Sequence, residues 1–154
     1  MSTALTFIDR KILDSPVIGP EGAVHYTTST THGFRGRKVT TITAASGLWS
    51  WNKVRSRSMG FFNPSYEWNW GKRSYQLKYH DSHKTLLATP TSGNTADTVQ
   101  FRPYNPHLLR DNERAIIFFP HQMQDEVERM FLLMAILQTD IRRQDAARAA
   151  AAAA

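Results

Sequence analysis

The sequence predicts a mainly β fold, an antiparallel barrel or strongly curved sandwich closed around one helix near the C-terminal end. Nine short stretches rich in β-branched and aromatic residues follow one another at intervals of about ten residues, as in all-β sandwiches and barrels. After them come eight apolar residues, Met130–Leu137, that no polar residue interrupts. The chain has 154 residues, enough for one sizeable core, so we expect a single domain over 1–144 and an Ala-rich tail over 145–154.

The predicted strands are separated in many places by clusters of Gly, Pro, Asn, Asp and Ser, which favour turns. In "SYQLKYH" (74–80), Tyr75, Leu77 and Tyr79 alternate with polar residues, which predicts that they share one face. A tight connection is predicted at Gly71 and Lys72, and a turn over 80–84. In chain order, the predicted strands are LTFI, AVHYTT, KVTTIT, LWSWNKV, YEWNW, SYQLKYH, TLLAT, TVQFRPY and AIIFF.

Residues from about 124 to 144 predict the helix, because they contain no Pro or Gly and are rich in Leu, Met, Ala, Glu and Arg. Acidic residues lie near its start and basic residues near its end, an arrangement that suits the helix dipole. For the tail, two alternatives stay open: it extends the helix, or it frays. The residues that match the dipole are Asp125, Glu126, Glu128, Arg142 and Arg143.

The apolar run decides how the helix is placed. As a helix it spans about 12 Å, far less than the roughly 30 Å of a hydrocarbon core, which excludes a membrane span. Eight consecutive apolar residues also sweep past a full turn, so no polar face is left for solvent. We therefore expect Met130–Leu137 to be buried on all sides, with "QTDIRRQ" (138–144) emerging into solvent.

Composition narrows the possible functions. The chain has no cysteine, which excludes disulfides, zinc–thiolate sites and thiol nucleophiles. The N-terminal stretch lacks the pattern of a secretory signal, and we expect a cytoplasmic protein, with a peripheral location at membranes as an extension of that expectation. The net charge is +6, and the segment 22–110 carries twelve Lys/Arg against three acids, or +9, which leaves −3 for the rest. A concentrated basic surface attracts polyanions such as nucleic acid or anionic headgroups.

Three segments carry a resemblance to a known superfamily. They are "SYEWNW" (65–70), "SYQLKYHDSHKTLLAT" (74–89), and the apolar helix closed by "DIRRQ" (140–144). Together they resemble the tubby-like C-terminal superfamily, which includes tubby, phospholipid scramblases and LURP-one-related proteins, and most of all a fungal family within it. The resemblance covers roughly Leu5 to Gln144. It implies a closed barrel of about twelve strands around a central helix, and a lipid-facing role.

The resemblance does not extend to every property of those relatives. The chain has no cysteine-rich palmitoylation segment and no acidic calcium loop of the D-x-[DN]-x-[DN]-G kind, so scramblase activity is not expected. No headgroup pocket of tubby can be aligned to particular residues here. The candidate site therefore comes from the basic residues of this chain alone.

Basic clusters in the middle of the chain are the candidate ligand-binding residues. A strand places Lys53, Arg55 and Arg57 on one face about 7 Å apart, a spacing that suits successive phosphates. We therefore expect a non-enzymatic binding module for anionic lipid headgroups such as phosphoinositides. Nucleic acid is a weaker expectation, since no helix-turn-helix, zinc finger or RNA-binding signature is present. The full candidate set is Arg35, Arg37, Lys38, Lys53, Arg55, Arg57, Lys72 and Arg73.

Two other functions stay open as alternatives. One is an intracellular scaffold that binds a protein partner and no lipid. The weaker one is a hydrolase that uses His80, Asp81 or His83, although Asp and Ser between two histidines also suit a polar hairpin tip. "GKRS" (71–74) lacks the first glycine of a phosphate loop, and no cofactor or metal is expected.

Overall fold

The structure is a computed structural model that describes residues 2–33, 36–47, 50–52, 57–59, 65–108 and 111–153, with backbone alone at 33, 36–38, 50–52, 57–59 and 65. It contains eleven described strands, one short 3-10 turn at Thr95–Asp97 and one α-helix. The helix, α1, runs over Glu126–Ala152. The strands are β1 Ser2–Phe7, β2 Pro16–Ile18, β3 Val24–Gly33, β4 Gly36–Ala44, β5 Ser50–Asn52, β6 Arg57–Met59, β7 Ser65–Trp70, β8 Arg73–His80, β9 Thr85–Pro90, β10 Val99–Arg102 and β11 Ile116–Pro120.

All the described strands form one antiparallel sheet, in the order β5-β4-β3-β2-β1-β11-β10-β9-β8-β7-β6. Consecutive strands are therefore hydrogen-bonded to each other except β5 and β6, and the first strand also pairs with the last. In that pairing Leu5 lies opposite Ile117. Because β5 and β6 follow each other in the chain, the two ends of the sheet are consecutive strands.

Helix α1 lies against the concave face of the sheet. It packs on β4 and β5 near one end of the sheet and on β7 and β9 near the other. A sheet can contact one helix from both of its ends only if it curves around it. The whole run Met130–Leu137 is buried, with exposed fractions between 0% and 3%. The prediction that the apolar run is buried on all sides is confirmed.

The fold is mainly antiparallel β with a C-terminal helix, as expected, but the sheet is open. In the described residues β5 and β6 are the end strands, three residues each, and no hydrogen bonds join them. The closed barrel of about twelve strands is therefore corrected to an open, curved sheet of eleven described strands. Two of these, β2 and β6, were not predicted, because three residues are too few to show a period of two.

The helix boundary also differs from the prediction. The helix begins one residue after Asp125, whose carboxylate accepts the N–H of Val127 at 3.0 Å, and it continues to Ala152. Alanine has the highest helix propensity, which explains why the tail extends the helix. "QTDIRRQ" does not emerge into solvent as expected. Thr139 and Asp140 are buried, and exposure begins at Asp145.

Several local predictions are confirmed. Tyr75 and Leu77 of β8 are buried, and Gln76 and Lys78 between them are exposed. Gly71 adopts φ +56°, which a residue without Cβ tolerates, in the tight turn between β7 and β8. Among the described residues, no helix combines the length and the apolar character that crossing a membrane requires.

The tryptophans of β7 belong to the core. Trp68 and Trp70 both lie against Phe131 of the helix, with ring centroids 6.1 Å and 5.0 Å from it. Both rings of this W-x-W pair therefore pack against the helix. In the second W-x-W pair of the sequence, Trp49 lies outside the described residues and Trp51 is described by its backbone alone.

Candidate functional site

A cavity of about 590 Å³ opens at the end of the sheet where the helix leaves it. We call this end, where β1, β3, β8 and β10 finish, the exit end. Four parts of the chain line the cavity: the loop between β1 and β2, His32 near the end of β3, the segment after β10, and the helix from Asp140 onward. Antiparallel pairing brings these parts together, since alternate strands finish at the same end of the sheet.

The loop between β1 and β2 is fixed from below by buried threonines of β3. The hydroxyl oxygen of Thr28 accepts the N–H of Ser15 at 2.9 Å and lies 2.8 Å from the carbonyl oxygen of Ile12. Two residues further along β3, the N–H of Thr30 donates to Asp14 Oδ1 at 2.7 Å, and the hydroxyl of Thr30 donates to the carbonyl of Leu13 at 3.0 Å. Because the loop backbone is held on both sides, the cations that it carries have a defined position.

Those cations are Arg10 and Lys11, which both line the cavity. The guanidinium of Arg10 lies over the ring of Tyr104, 5.3 Å from its centroid, an arrangement that a cation–π attraction stabilises. In the part of the chain that the structure describes, neither Arg10 nor Lys11 is in a salt bridge. Both charges are therefore available to a ligand.

The helix supplies the opposite wall. Asp140 is fully buried, and its Oδ1 accepts hydrogen bonds from Arg143 Nη2 at 2.8 Å and Nε at 3.1 Å. Gln144 Nε2 donates to Oδ2 at 2.8 Å. The guanidinium of Arg143 also lies 4.1 Å above the ring of Tyr79. Burial raises the pKa of Tyr79, and the positive charge of Arg143 acts in the opposite direction.

The described lining of the cavity is positive. Among the described residues, four cations line it (Arg10, Lys11, Arg143 and Arg148) against two carboxylates (Asp14 and Asp140), a formal charge of +2 with His32 neutral. Both carboxylates already accept hydrogen bonds from the protein, so their oxygens are partly occupied. We call this cavity, defined by the four cations and Tyr104, the basic cavity.

The structure describes the side chains of two of the eight predicted basic residues, Lys72 and Arg73. Lys72 and Arg73 lie at the opposite end of the sheet from the basic cavity, in the turn between β7 and β8 and at the start of β8. Arg37 is described by its backbone alone, which pairs with His32, a residue that lines the basic cavity. Lys38 and Arg57 are likewise described by backbone alone. Arg35, Lys53 and Arg55 lie outside the described residues, so the predicted row on one strand face stays a prediction.

Arg73 has a partner within the protein. Its Nη1 lies 3.1 Å from both carboxylate oxygens of Glu128, whose side chain is 6% exposed. The hydroxyl of Tyr75 donates to the same carboxylate at 2.6 Å. This cluster joins β8 to the first turn of the helix. Arg73 therefore helps to place the helix, and its assignment to a ligand site stays a prediction.

Buried tyrosines make the fold sensitive to alkaline pH. Burial raises the pKa of both Tyr26 and Tyr75 to about 12, and the hydrogen bond to Glu128 adds to the rise for Tyr75. A raised folded-state pKa means that full stability holds below the unfolded pKa near 10 and is lost as pH rises towards 12. We expect unfolding free energy to fall across this window by on the order of 2–3 kcal/mol per tyrosine.

Denaturant unfolding at a series of alkaline pH values measures this loss. Tyr75→Phe removes one of the hydroxyls whose pKa is raised, so its stability should decline less steeply with pH than that of the wild type. Tyr26→Phe removes another and should change the slope in the same direction. Wild-type slopes in both variants would contradict the expectation.

The two histidines of the predicted hairpin tip line a second depression, of about 610 Å³, on the outer side of the sheet. His80 and His83 share it with Arg102 and Glu113, whereas Ser82 is not part of its lining. In the described residues, Ser82 makes no hydrogen bond with either histidine, so the pairing of nucleophile and base that a hydrolase needs is not formed here. Nor do the described residues contain three His, Cys, Asp or Glu side chains placed to hold a metal ion.

The residues that sequence reasoning missed are Arg10, Lys11, Arg143 and Arg148. They lie in the two parts of the chain whose summed charge is negative, and none belongs to a long basic run. The available signals were the adjacent pairs at 10–11 and 142–143. Comparison of the chain with protein-family models, curated proteins and solved structures finds no match of any kind.

Proposed function

We propose that the chain is a non-enzymatic binding module that takes a phosphate-bearing anionic headgroup in the basic cavity. The observation that carries the proposal is the pair Arg10 and Lys11, which form no salt bridge with the described residues and lie on a loop held in place by Thr28 and Thr30. A loop that is already ordered loses little backbone freedom when a ligand binds, which favours affinity. The basic cavity is also within the usual size range of small-ligand sites, about 300–1,000 Å³.

The chemistry of the lining favours phosphate over other anions. Guanidinium groups match phosphate oxygens with two parallel hydrogen bonds, and lysine adds a compact charge. Arg143 is already bidentate to Asp140, so a ligand phosphate would share that guanidinium or meet its exposed edge. Phosphorylated inositol headgroups, with several phosphates on one ring, fit a cavity whose cations come from opposite walls.

The tubby-like resemblance agrees with this proposal, and both remain proposals. A lipid headgroup as ligand would place the protein at the cytoplasmic face of a membrane as a peripheral protein. The rival proposal is an interaction scaffold with no affinity for lipid. The hydrolase alternative gains no observation of its own from the residues around His80 and His83.

Calorimetric titration with inositol trisphosphate tests the proposal. We expect binding that weakens as salt is raised, because exposed charges are screened within about 8 Å at physiological ionic strength. The double substitution Arg10→Glu/Lys11→Glu should weaken it by at least about tenfold, since each cation near an anionic ligand contributes on the order of 1 kcal/mol. Both side chains are exposed, so the fold should persist.

Lys72→Glu is the control. It reverses one exposed charge at the opposite end of the sheet, half the charge change of the double substitution, and it should leave binding unchanged. If the wild type binds no inositol trisphosphate at low salt, the proposal is wrong and the scaffold is favoured. Equal weakening by both variants would also count against the basic cavity, because it would reflect net charge alone.

A further inference from the structure

We propose that the exit end docks on a membrane, with Leu108 and Ile8 in the interfacial layer and the basic cavity over a lipid phosphate headgroup. The inference rests on the proposed function and adds the source of the ligand: a bilayer lipid, not a free phosphate compound. It is carried by a second observation that is independent of charge. That observation is the position of the exposed apolar side chains.

In the described residues, three large apolar side chains are exposed: Ile8 at 37%, Val24 at 44% and Leu108 at 102%. Two of the three lie on segments that border the basic cavity. Ile8 is two residues before Arg10, and Leu108 is two residues after Pro106, which lines the cavity. Val24 lies at the opposite end, where β3 begins.

Leu108 is held out by a loop with a fixed base. Asn105 and Glu113 exchange backbone hydrogen bonds of 3.0 Å in both directions, which closes the loop. Above this bridge, the N–H of His107 donates to Asn112 Oδ1 at 2.9 Å, and His107 Nε2 lies 3.2 Å from a carboxylate oxygen of Glu113. These hydrogen bonds hold His107 in place at the base of the loop. The side chain of Leu108, the next residue, is fully exposed to water.

Ile8 has a similarly fixed backbone. Its N–H donates to the carbonyl of Pro16 at 3.1 Å, at the point where β1 gives way to the loop. The side chain is therefore presented beside Arg10 and Lys11 by the same segment. Exposed apolar side chains and cations thus occur together on the segments that border the basic cavity, the combination by which proteins bind the headgroup region of anionic membranes.

The helical extension leaves from the same end and is compatible with docking. After Asp145 it contains Arg148 and otherwise only alanine, so it presents no further acid to an anionic surface. A free phosphate compound would contact only the cations, and the side chain of Leu108 would stay exposed to water. A bilayer uses both, since the leucine gains about 2 kcal/mol when its side chain leaves water, equivalent to roughly thirtyfold in affinity.

Co-flotation with phosphatidylcholine vesicles that contain phosphatidylinositol bisphosphate tests the inference. Leu108→Asp should lose vesicle binding by about tenfold or more, because it replaces the inserted apolar group with an anion. The matched control is Val24→Asp, the same change at an exposed apolar position on the other end, which should bind vesicles like the wild type. Inositol trisphosphate titrated in solution should bind Leu108→Asp and the wild type equally.

The outcomes separate this inference from the proposed function. Loss of vesicle binding in Leu108→Asp with unchanged inositol trisphosphate binding supports the docking face. Equal vesicle binding by Leu108→Asp and the wild type overturns it and leaves the basic cavity intact. If the wild type binds inositol trisphosphate and no vesicles, the ligand is a free phosphate compound and the docking face is wrong. If it binds neither, the proposed function itself has failed.

Discussion

Leu133→Asp is expected to abolish folding. Leu133 is fully buried, at the centre of the part of the helix that the sheet surrounds. Placing an unpaired carboxylate there costs several kcal/mol or more, and a domain has only about 5–15 kcal/mol of stability in total. We expect the variant to lose the cooperative thermal transition that the wild type shows by circular dichroism.

Two controls separate burial from other effects of the substitution. Ala147→Asp adds the same carboxylate to the same helix at an exposed position beyond the sheet, and it should keep a transition like that of the wild type. Leu133→Met keeps the volume and apolar character and should cost less than about 1.5 kcal/mol. A cooperative, near-native transition in Leu133→Asp would mean that the helix is not enclosed.

The enclosure of this helix was predictable because it depends on local sequence alone. An apolar run without a polar face must be buried wherever the chain folds, and its length excludes a bilayer. The strands with a visible period of two were predictable for the same reason. The open edge between β5 and β6 was not, since strands that follow each other in the chain usually pair, and nothing in the local pattern marks these two as an exception.

The position of the helix end could not be predicted from the local sequence alone. Arg142 and Arg143 suggested a helix terminus by their charge, whereas Arg143 pairs with a buried aspartate one turn earlier. In the sequence, a basic pair just after the apolar run looks the same whether it matches the helix dipole or pairs with a buried acid. A buried charge pair and a solvated helix end differ only in their tertiary surroundings, which the sequence does not show.

The candidate site was missed for a related reason. The prediction from the sequence grouped basic residues that are close together in the chain, and it compared the net charge of whole segments. In the fold, Arg10 and Arg143 line one cavity although they are far apart in sequence, because the exit end gathers alternate connections of an antiparallel sheet. Arg73, which belongs to the predicted set, forms a salt bridge with Glu128.

Asp140→Asn is expected to change stability and ligand binding in opposite directions. The carboxylate of Asp140 is fully buried and accepts from Arg143 and Gln144, so the amide loses a charge-assisted pair and places a donor opposite a donor. We expect unfolding free energy to fall by about 2–3 kcal/mol. Asp145→Asn makes the same change at an exposed position of the helix and should stay within about 0.5 kcal/mol of the wild type.

The same substitution makes the basic cavity more positive, from a formal +2 to +3 by the loss of one carboxylate, and releases Arg143 from its bidentate partner. Inositol trisphosphate should therefore bind several-fold more tightly at low salt, with the gain reduced as salt rises. Denaturant unfolding and calorimetric titration on the same preparation measure the two effects. Lower stability with unchanged affinity would show that Asp140 has a purely structural role and would remove Arg143 from the ligand site. Unchanged stability would contradict the claim that the buried pair fixes the end of the helix within the sheet.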